Sequence, residues 1–453
     1  MPVHPQAYRP ASKLLDLGPD FWDPVRAAEF PQTVLRYRND RAAAEVGLGS
    51  LNDDEWLRHF GRFEPLPGTL PEPLALRYHG HQFRVYNPDI GDGRGFTFAQ
   101  MHDAQGRLMD LGTKGSGQTP YSRFGDGRLT LKGGVREVLA TEMLEALNVP
   151  TSRTLSLIET GEALERGDEP SPTRSAVMVR LSHGHIRIGT FQRLAYTQDE
   201  ANMRRLVGYV LRELYDEEPG EEPALRLLDL VVERTARLAA RYMAAGFVHG
   251  VLNSDNINVT GESFDYGPWR FAPSWDVGFT AAYFDHAGLY AFGRQPEAIH
   301  WDLFQLAGSL RLLTDSDPLV ALLERFGPRF QSHVADALLW RLGLEPRGED
   351  EDRALVQALE RALRDTQVEL HRFFHDAFAG PLPERYGQEW AEYRALAADH
   401  RPRKERSAFF DGEPCGMLID EVEAIWAPIA ENDDWSRLHA KLDRIRAMGA
   451  TLR

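Results

Sequence analysis

Apolar positions change their spacing twice along the chain. Residues 1 to about 75 alternate short helical patterns with prolines and end in Leu66-Pro67-Gly68-Thr69-Leu70-Pro71-Glu72-Pro73, which predicts a wrapped extension feeding a first lobe. From His79 to Val179 strand patterns dominate. Segments 95–101 and 107–113 flank the turn-like Asp103-Ala104-Gln105-Gly106 and predict a hairpin. One helix follows over 134–147, with Val135, Val138, Leu139, Met143 and Leu147 at helical spacing. Strands are then expected around 155–158 and 175–179, separated by the loop Gly167-Asp168-Glu169-Pro170-Ser171-Pro172. From Glu200 onward the pattern is mainly helical, broken between Gly246 and Ala282 by a region rich in Gly, Asn and Asp. The polar run 345–352 opens a further helical segment.

Strands with one helix, followed by a helical lobe, predict an α+β chain of two lobes with a ligand cleft between them. The expected divisions are an extension over 1–75, a strand-rich lobe over 76–185, a mainly helical lobe over 186–330 and a helical segment over 331–453. A length of 453 residues also exceeds what one hydrophobic core usually serves.

Composition narrows the class of partner. With 68 acidic and 52 basic residues the formal charge is -16, which disfavours nucleic acid and anionic membranes as partners while leaving room for a local basic cleft. The single Cys415 excludes an intrachain disulfide and paired zinc knuckles, as expected in a reducing compartment. The opening Met1-Pro2-Val3-His4-Pro5 lacks the pattern of a secretory signal, and no run of about 18 apolar residues appears. A cytoplasmic location is expected.

Four groups of residues could carry chemistry. Gly91-Asp92-Gly93-Arg94-Gly95 precedes a strand; it reads either as a tight turn or as backbone that approaches phosphate oxygens closely. Lys114 ends the second hairpin strand, and Glu137 on the next helix points away from its apolar stripe. Both could be solvated charges, or together the kinase device in which a glutamate fixes a lysine toward the nucleotide. His249-Gly250-Val251-Leu252-Asn253-Ser254-Asp255-Asn256 and, nine residues on, Asp265-Tyr266-Gly267 resemble a kinase catalytic loop and its metal loop, with Asn256 and Asp265 supplying the hard oxygens Mg²⁺ prefers. Arg180 and Arg187 fall where the lobes meet and are either surface residues or a clamp on a polyphosphate. His183 and His185 lack a matching third ligand and are assigned no metal.

As an ordered set these blocks resemble the selenoprotein-O (SelO/YdiU) family of protein adenylyltransferases, which are kinase-like pseudokinases. The likeness runs from about residue 78 to 300. It is carried by Tyr78-His79-Gly80-His81-Gln82-Phe83, Tyr86-Asn87-Pro88, the Gly91 turn, Lys114-Gly115-Ser116-Gly117-Gln118-Thr119-Pro120-Tyr121-Ser122-Arg123, Gly125-Asp126-Gly127-Arg128, Val135-Arg136-Glu137, residues 180–191, and the loops at His249 and Asp265-Tyr266-Gly267-Pro268. The resemblance implies a protein-kinase-like fold and ATP bound in reverse, so that AMP passes to Ser, Thr or Tyr hydroxyls of protein substrates; UTP stays open as an alternative donor. It further implies that Lys114, paired with Glu137, holds phosphate, that Arg180 and Arg187 take the γ-phosphate, and that Gly91, Gly93, Arg94, Asp126 and Gly127 line the nucleotide pocket. Asn256 and Asp265 would ligate Mg²⁺ or Mn²⁺, and Asp255 would be the base. The regulatory disulfide of the family is excluded by the single cysteine. Two other readings are ordinary γ-phosphoryl transfer and a silent nucleotide-binding scaffold.

Overall fold

A computed structural model describes residues 7–167 and 169–453. The opening five residues and Asp168 of the predicted loop therefore lie outside the described residues. The first lobe is built on an antiparallel sheet of nine strands. These are β1 (Arg9–Ala11), β2 (Trp22–Pro24), β3 (Val34–Arg38), β4 (Leu74–Leu76), and, after a separate hairpin of β5 (Gly80–Gln82) and β6 (Val85–Asn87), β7 (Thr97–His102), β8 (Leu108–Lys114), β9 (Leu129–Thr130), β10 (Arg153–Leu164) and β11 (Thr173–Ser182). The order is β2-β4-β7-β8-β11-β10-β3, with β1 also on β7 and β9 also on β11.

All seven residues of β8 are buried, because both faces of the sheet are covered. On one face Met109, Leu111, Val177 and Val179 pack with Trp56 and Phe60 of the extension. On the other, Leu108 and Met178 join the core shared with the helical lobe. Alternation along a strand then puts Asp110, Gly112 and Lys114 on this second face, and the register Met178↔Lys114, Arg180↔Gly112, Ser182↔Asp110 sets Arg180 beside them. The strand period alone thus carries two buried cations to the cleft side of the sheet.

The extension adds α1 (Asp40–Glu45) and α2 (Asp53–Phe60), the latter opened by an Asn52/Glu55 capping box. Its strands β1, β2 and β3 are hydrogen-bonded members of the sheet. Helix α3 (Leu131–Ala146) begins three residues earlier than its apolar spacing predicts, since the Thr130 hydroxyl caps it by accepting from Gly133 N at 3.1 Å.

The second lobe comprises α4 (Ile188–Tyr196), α5 (Glu200–Tyr209), α6 (Pro223–Ala245), the short hairpin β12 (Phe247–Val248) and β13 (Arg270–Phe271), α7 (Gln295–Leu310), α8 (Ser316–Leu323) and α9 (Phe326–Leu342). Helices α10 (Glu349–Thr366), α11 (Leu370–Ala377), α12 (Ala391–Ala397), α13 (Ile419–Asn432) and α14 (Ser436–Leu452) complete the chain. The last of them returns to the first lobe: Arg446 of α14 donates to Glu142 of α3 at 2.8 and 3.0 Å, and Glu142 also accepts from Tyr37 at 2.5 Å. Among the described residues no helix is long and apolar enough to cross a membrane.

Candidate active site

Where the lobes meet, a cavity of about 820 Å³ opens, within the size range of small-molecule sites. Gly91, Gly93, Arg94, Lys114, Asp126, Gly127, Arg180, Arg187, Asp255, Asn256 and Asp265 all line it. Glu137 stands behind this lining and reaches the cavity only through Lys114, to which it is ion-paired. Sequence alone had left Glu137 facing either solvent or a polar cleft; its side chain is 3% exposed because α3 packs directly on the sheet. Burial and the Arg94 guanidinium push the Lys114 ammonium well below its usual range, while Asp265 pulls the other way. Lys114 also donates to the Tyr266 carbonyl at 3.3 Å.

Backbone pairing between the lobes positions the rest. Ile188 N donates to Ile257 O at 3.0 Å and Val259 N to Ile186 O at 3.0 Å, so Arg187 lies against the 254–256 turn. Its Nη1 donates to Asp255 O at 3.0 Å and to Asp265 Oδ2 at 3.2 Å, and its guanidinium rests 4.2 Å over the Tyr78 ring. Arg180 pairs with the other oxygen of Asp265. Burial alone would raise Asp265, yet Arg180, Arg187 and Lys114 hold its carboxyl well below the usual carboxylate range. His249 ties the two loops together: its Nδ1 accepts from Val251 N, so Nε2 donates to the Phe264 carbonyl at 2.9 Å. The β5–β6 hairpin sits on the same loop, with His81 N on Ser254 Oγ at 2.7 Å and Phe83 N on Asn253 Oδ1 at 3.0 Å.

Asp255 differs from Asp265 in having no cation on its carboxylate. Its Oδ1 is buried without a partner, and burial lifts its pKa to about 6 against the pull of Arg187. Arg94 lines the cavity with no hydrogen bond or ion pair from any described residue to its guanidinium. The cavity lining therefore gathers seven cationic side chains, of which Arg94 has no directly bonded protein partner, beside the Asp255 carboxylate with its buried unpartnered oxygen. Asp126 sits toward the outer rim, held by Arg166 at 2.8 Å, and Gly127 adopts φ 69° where a Cβ would collide with Gly117.

Some contributors escaped the sequence reading. Asp92 lies 3.5 Å from Arg187, inside the Gly91 block but not singled out there. His185, assigned no metal, orients Arg180 instead. Arg180 Nε donates to His185 Nε2 at 3.2 Å, so the ring proton must sit on Nδ1, which donates to Asp110 Oδ2 at 3.2 Å. Asp110 Oδ1 accepts from Gln100 Nε2 at 2.7 Å, and Gln100 Oε1 accepts from Leu14 N at 2.6 Å. The ring occupies space that a side chain at residue 112 would fill, since a Cβ there would come within 2.6 Å of Nε2. Burial keeps His185 neutral by lowering its pKa. No group of three or more His, Cys, Asp or Glu side chains that could hold a metal ion occurs among the described residues.

An antiparallel sheet with one ion-paired helix, set over a helical lobe whose two polar loops face the cleft, defines a protein of the kinase-like class. Comparison with known proteins then identifies the group within it. A family model described as "Protein adenylyltransferase SelO" matches residues 5–391, and the chain belongs to this family. The match extends on both sides of the 78–300 span carried by the sequence motifs, taking in the extension and α10. The "Protein nucleotidyltransferase YdiU" of Synechocystis sp. (strain ATCC 27184 / PCC 6803 / Kazusa) is 41% identical over 477 residues, covering 97% of this chain and 98% of that protein. That of Trichodesmium erythraeum (strain IMS101) is 45% identical over 474 residues, covering 97% and 98%. Among solved structures, the Toxoplasma gondii rhoptry antigen kinase domain is 12% identical with a TM-score of 0.30, covering 59% of this chain and 83% of that one.

Proposed function

We propose that this chain transfers the AMP moiety of ATP to Ser, Thr or Tyr hydroxyls of proteins and releases pyrophosphate. The observation that carries the reading is the meeting of Arg94, Lys114, Arg180 and Arg187 with the unpaired carboxylate of Asp255 around one cavity. Arg180 and Arg187 are both deeply enclosed, at 6% and 1% exposure, and their guanidinium forks suit the terminal phosphates. Binding the distal phosphates there leaves the α-phosphorus turned toward the acceptor. Asp255 takes the proton from the attacking hydroxyl; the new bond joins that oxygen to the α-phosphorus as the α–β bridge breaks, and the arginines stabilise the departing pyrophosphate.

A divalent cation, Mg²⁺ or Mn²⁺, fits the donor set. Asn256 Nδ2 is committed to the Val251 carbonyl at 2.9 Å, which leaves its Oδ1 as the free atom, and Asp265 would supply the carboxylate in exchange for Arg180 and Arg187, which now hold both its oxygens. One carboxylate and one amide oxygen suit an ion that arrives with phosphates and keeps its waters. When bound, such an ion would neutralise charge on the phosphate oxygens. The purified protein, given a protein acceptor and ATP labelled at the α or the γ position, tests the reading. Protein-bound α label is the expected result; γ label would mean ordinary kinase chemistry, and no label a silent scaffold.

A further inference from the structure

A second cavity, of about 340 Å³, lies between α6, α9 and the residues that follow α3. None of its lining residues takes part in the catalytic cleft. Arg237 and Arg241, one turn apart on α6, face it together with Arg341 of α9. Arg341 is only 6% exposed, and no described residue forms a hydrogen bond or ion pair with its side chain; its Nε is buried without a partner and its guanidinium rests 4.9 Å from the Phe374 ring. The Nε of Arg237 is likewise buried and unpartnered. Arg241 donates to Asn148 O at 2.5 Å and to Asn148 Oδ1 at 3.2 Å. The one carboxylate on the lining is Asp336, whose side chain is 69% exposed and lies 4.0 Å from His333, which is itself bound to Glu233 at 2.8 Å.

Three guanidiniums thus face one solvated carboxylate, in a chain whose formal charge is -16. A buried cation without a counter-ion is costly, and an anion in the cavity removes the cost. Guanidinium forks match phosphate oxygens, and the Trp340 side chain adds a flat apolar wall against which an organic body can lie. We infer that this cavity is a binding site for a small phosphate-bearing molecule, separate from the catalytic cleft.

The full chain is titrated calorimetrically with inorganic phosphate, with AMP and with acetate, and its melting is followed with and without each. Arg341→Met should melt higher than the parent without ligand, because it removes an uncompensated buried charge. It should also lose one phosphate-binding site per chain, its affinity there falling roughly ten- to hundredfold, while binding in the cleft persists. Arg237→Gln should weaken the same site without lowering the ligand-free melting temperature. Tighter binding of AMP than of inorganic phosphate at this site would assign it to a phosphate ester; the reverse would assign it to the free anion. The inference is overturned if Arg341→Met binds both probes as the parent does, if it melts lower than the parent without ligand, or if acetate binds as tightly as phosphate.

Discussion

Asp110→Asn tests whether the hydrogen-bond chain behind Arg180 matters for the reaction. Asp110 accepts at both oxygens, from Gln100 on one side and from His185 Nδ1 on the other. An asparagine can accept on one side only. If its amide nitrogen faces His185, the ring proton moves to Nε2 and opposes the Arg180 Nε–H at 3.2 Å. If it faces Gln100 instead, two amide donors meet, and turning Gln100 over sets its amide against Leu14 N. Either way one buried hydrogen bond is lost and two donors are opposed, at a cost of about 1.5–3 kcal/mol where the partner is a guanidinium. Expressed on nucleotide handling, that is roughly a ten- to hundredfold fall in kcat/KM for ATP. The assay is transfer of label from α-labelled ATP over a range of ATP concentrations, with thermal melting in parallel. His185→Gln is the control, since its amide oxygen can accept from Arg180 while its nitrogen donates to Asp110; it should stay within about threefold of the parent. Full activity in Asp110→Asn, or an inactive His185→Gln that still melts normally, would refute the tautomer argument.

Further outcomes follow from the same site and its supports. Lys114→Ala should abolish most transfer and, by stranding the buried carboxylate of Glu137, lower unfolding stability by about 3–5 kcal/mol in a denaturant titration. Asp265→Ala should eliminate label transfer while the chain remains folded by circular dichroism, because it removes the carboxylate on which Arg180 and Arg187 converge. Arg446→Ala should cost about 1.5–3 kcal/mol by freeing Glu142, and it should reduce transfer more than a surface arginine change does, since α14 then no longer braces the helix that carries Glu137. Glu262, raised by burial from 4.5 to about 6, is favoured in its protonated form by the fold, so its contribution is complete below about pH 4.5 and is lost as pH rises toward 6. Glu262→Gln should therefore raise stability at about pH 7.5 by at most about 2 kcal/mol, less because the side chain is partly exposed, and leave it unchanged near pH 4, as read by paired melts.

What the sequence disclosed was local or periodic. Lys114 was legible as the end of the second hairpin strand, although its face was not, and the loops at His249 and Asp265 were legible as ordered polar blocks between apolar segments. The extension was harder to read because its strands are three to five residues long and two of them contain proline, which suits the edges they occupy but erases strand periodicity. Helix α3 was shortened at its start because its apolar spacing was read from Val135 onward, and only the Thr130 cap shows that it begins at Leu131.

The residues that sequence reasoning missed share a different property: their meaning lies in a partner far along the chain. Arg237 and Arg241 look like solvated charges on an amphipathic helix, and they acquire significance only when α9 brings Arg341 to the same cavity. His185 looks like a loop residue until Asp110, 75 positions earlier, fixes which nitrogen carries its proton. A charge is unremarkable in sequence because water can always be supposed to solvate it; folding removes that supposition at some positions and not at others. At Lys114 and Asp265 the lost water is replaced by directly paired counter-charges, whereas at Arg94 and Arg341 no described residue makes a hydrogen bond or ion pair to the guanidinium. Both cations face cavities, and a cation so placed without a bonded partner is where an anionic ligand gains the most by binding.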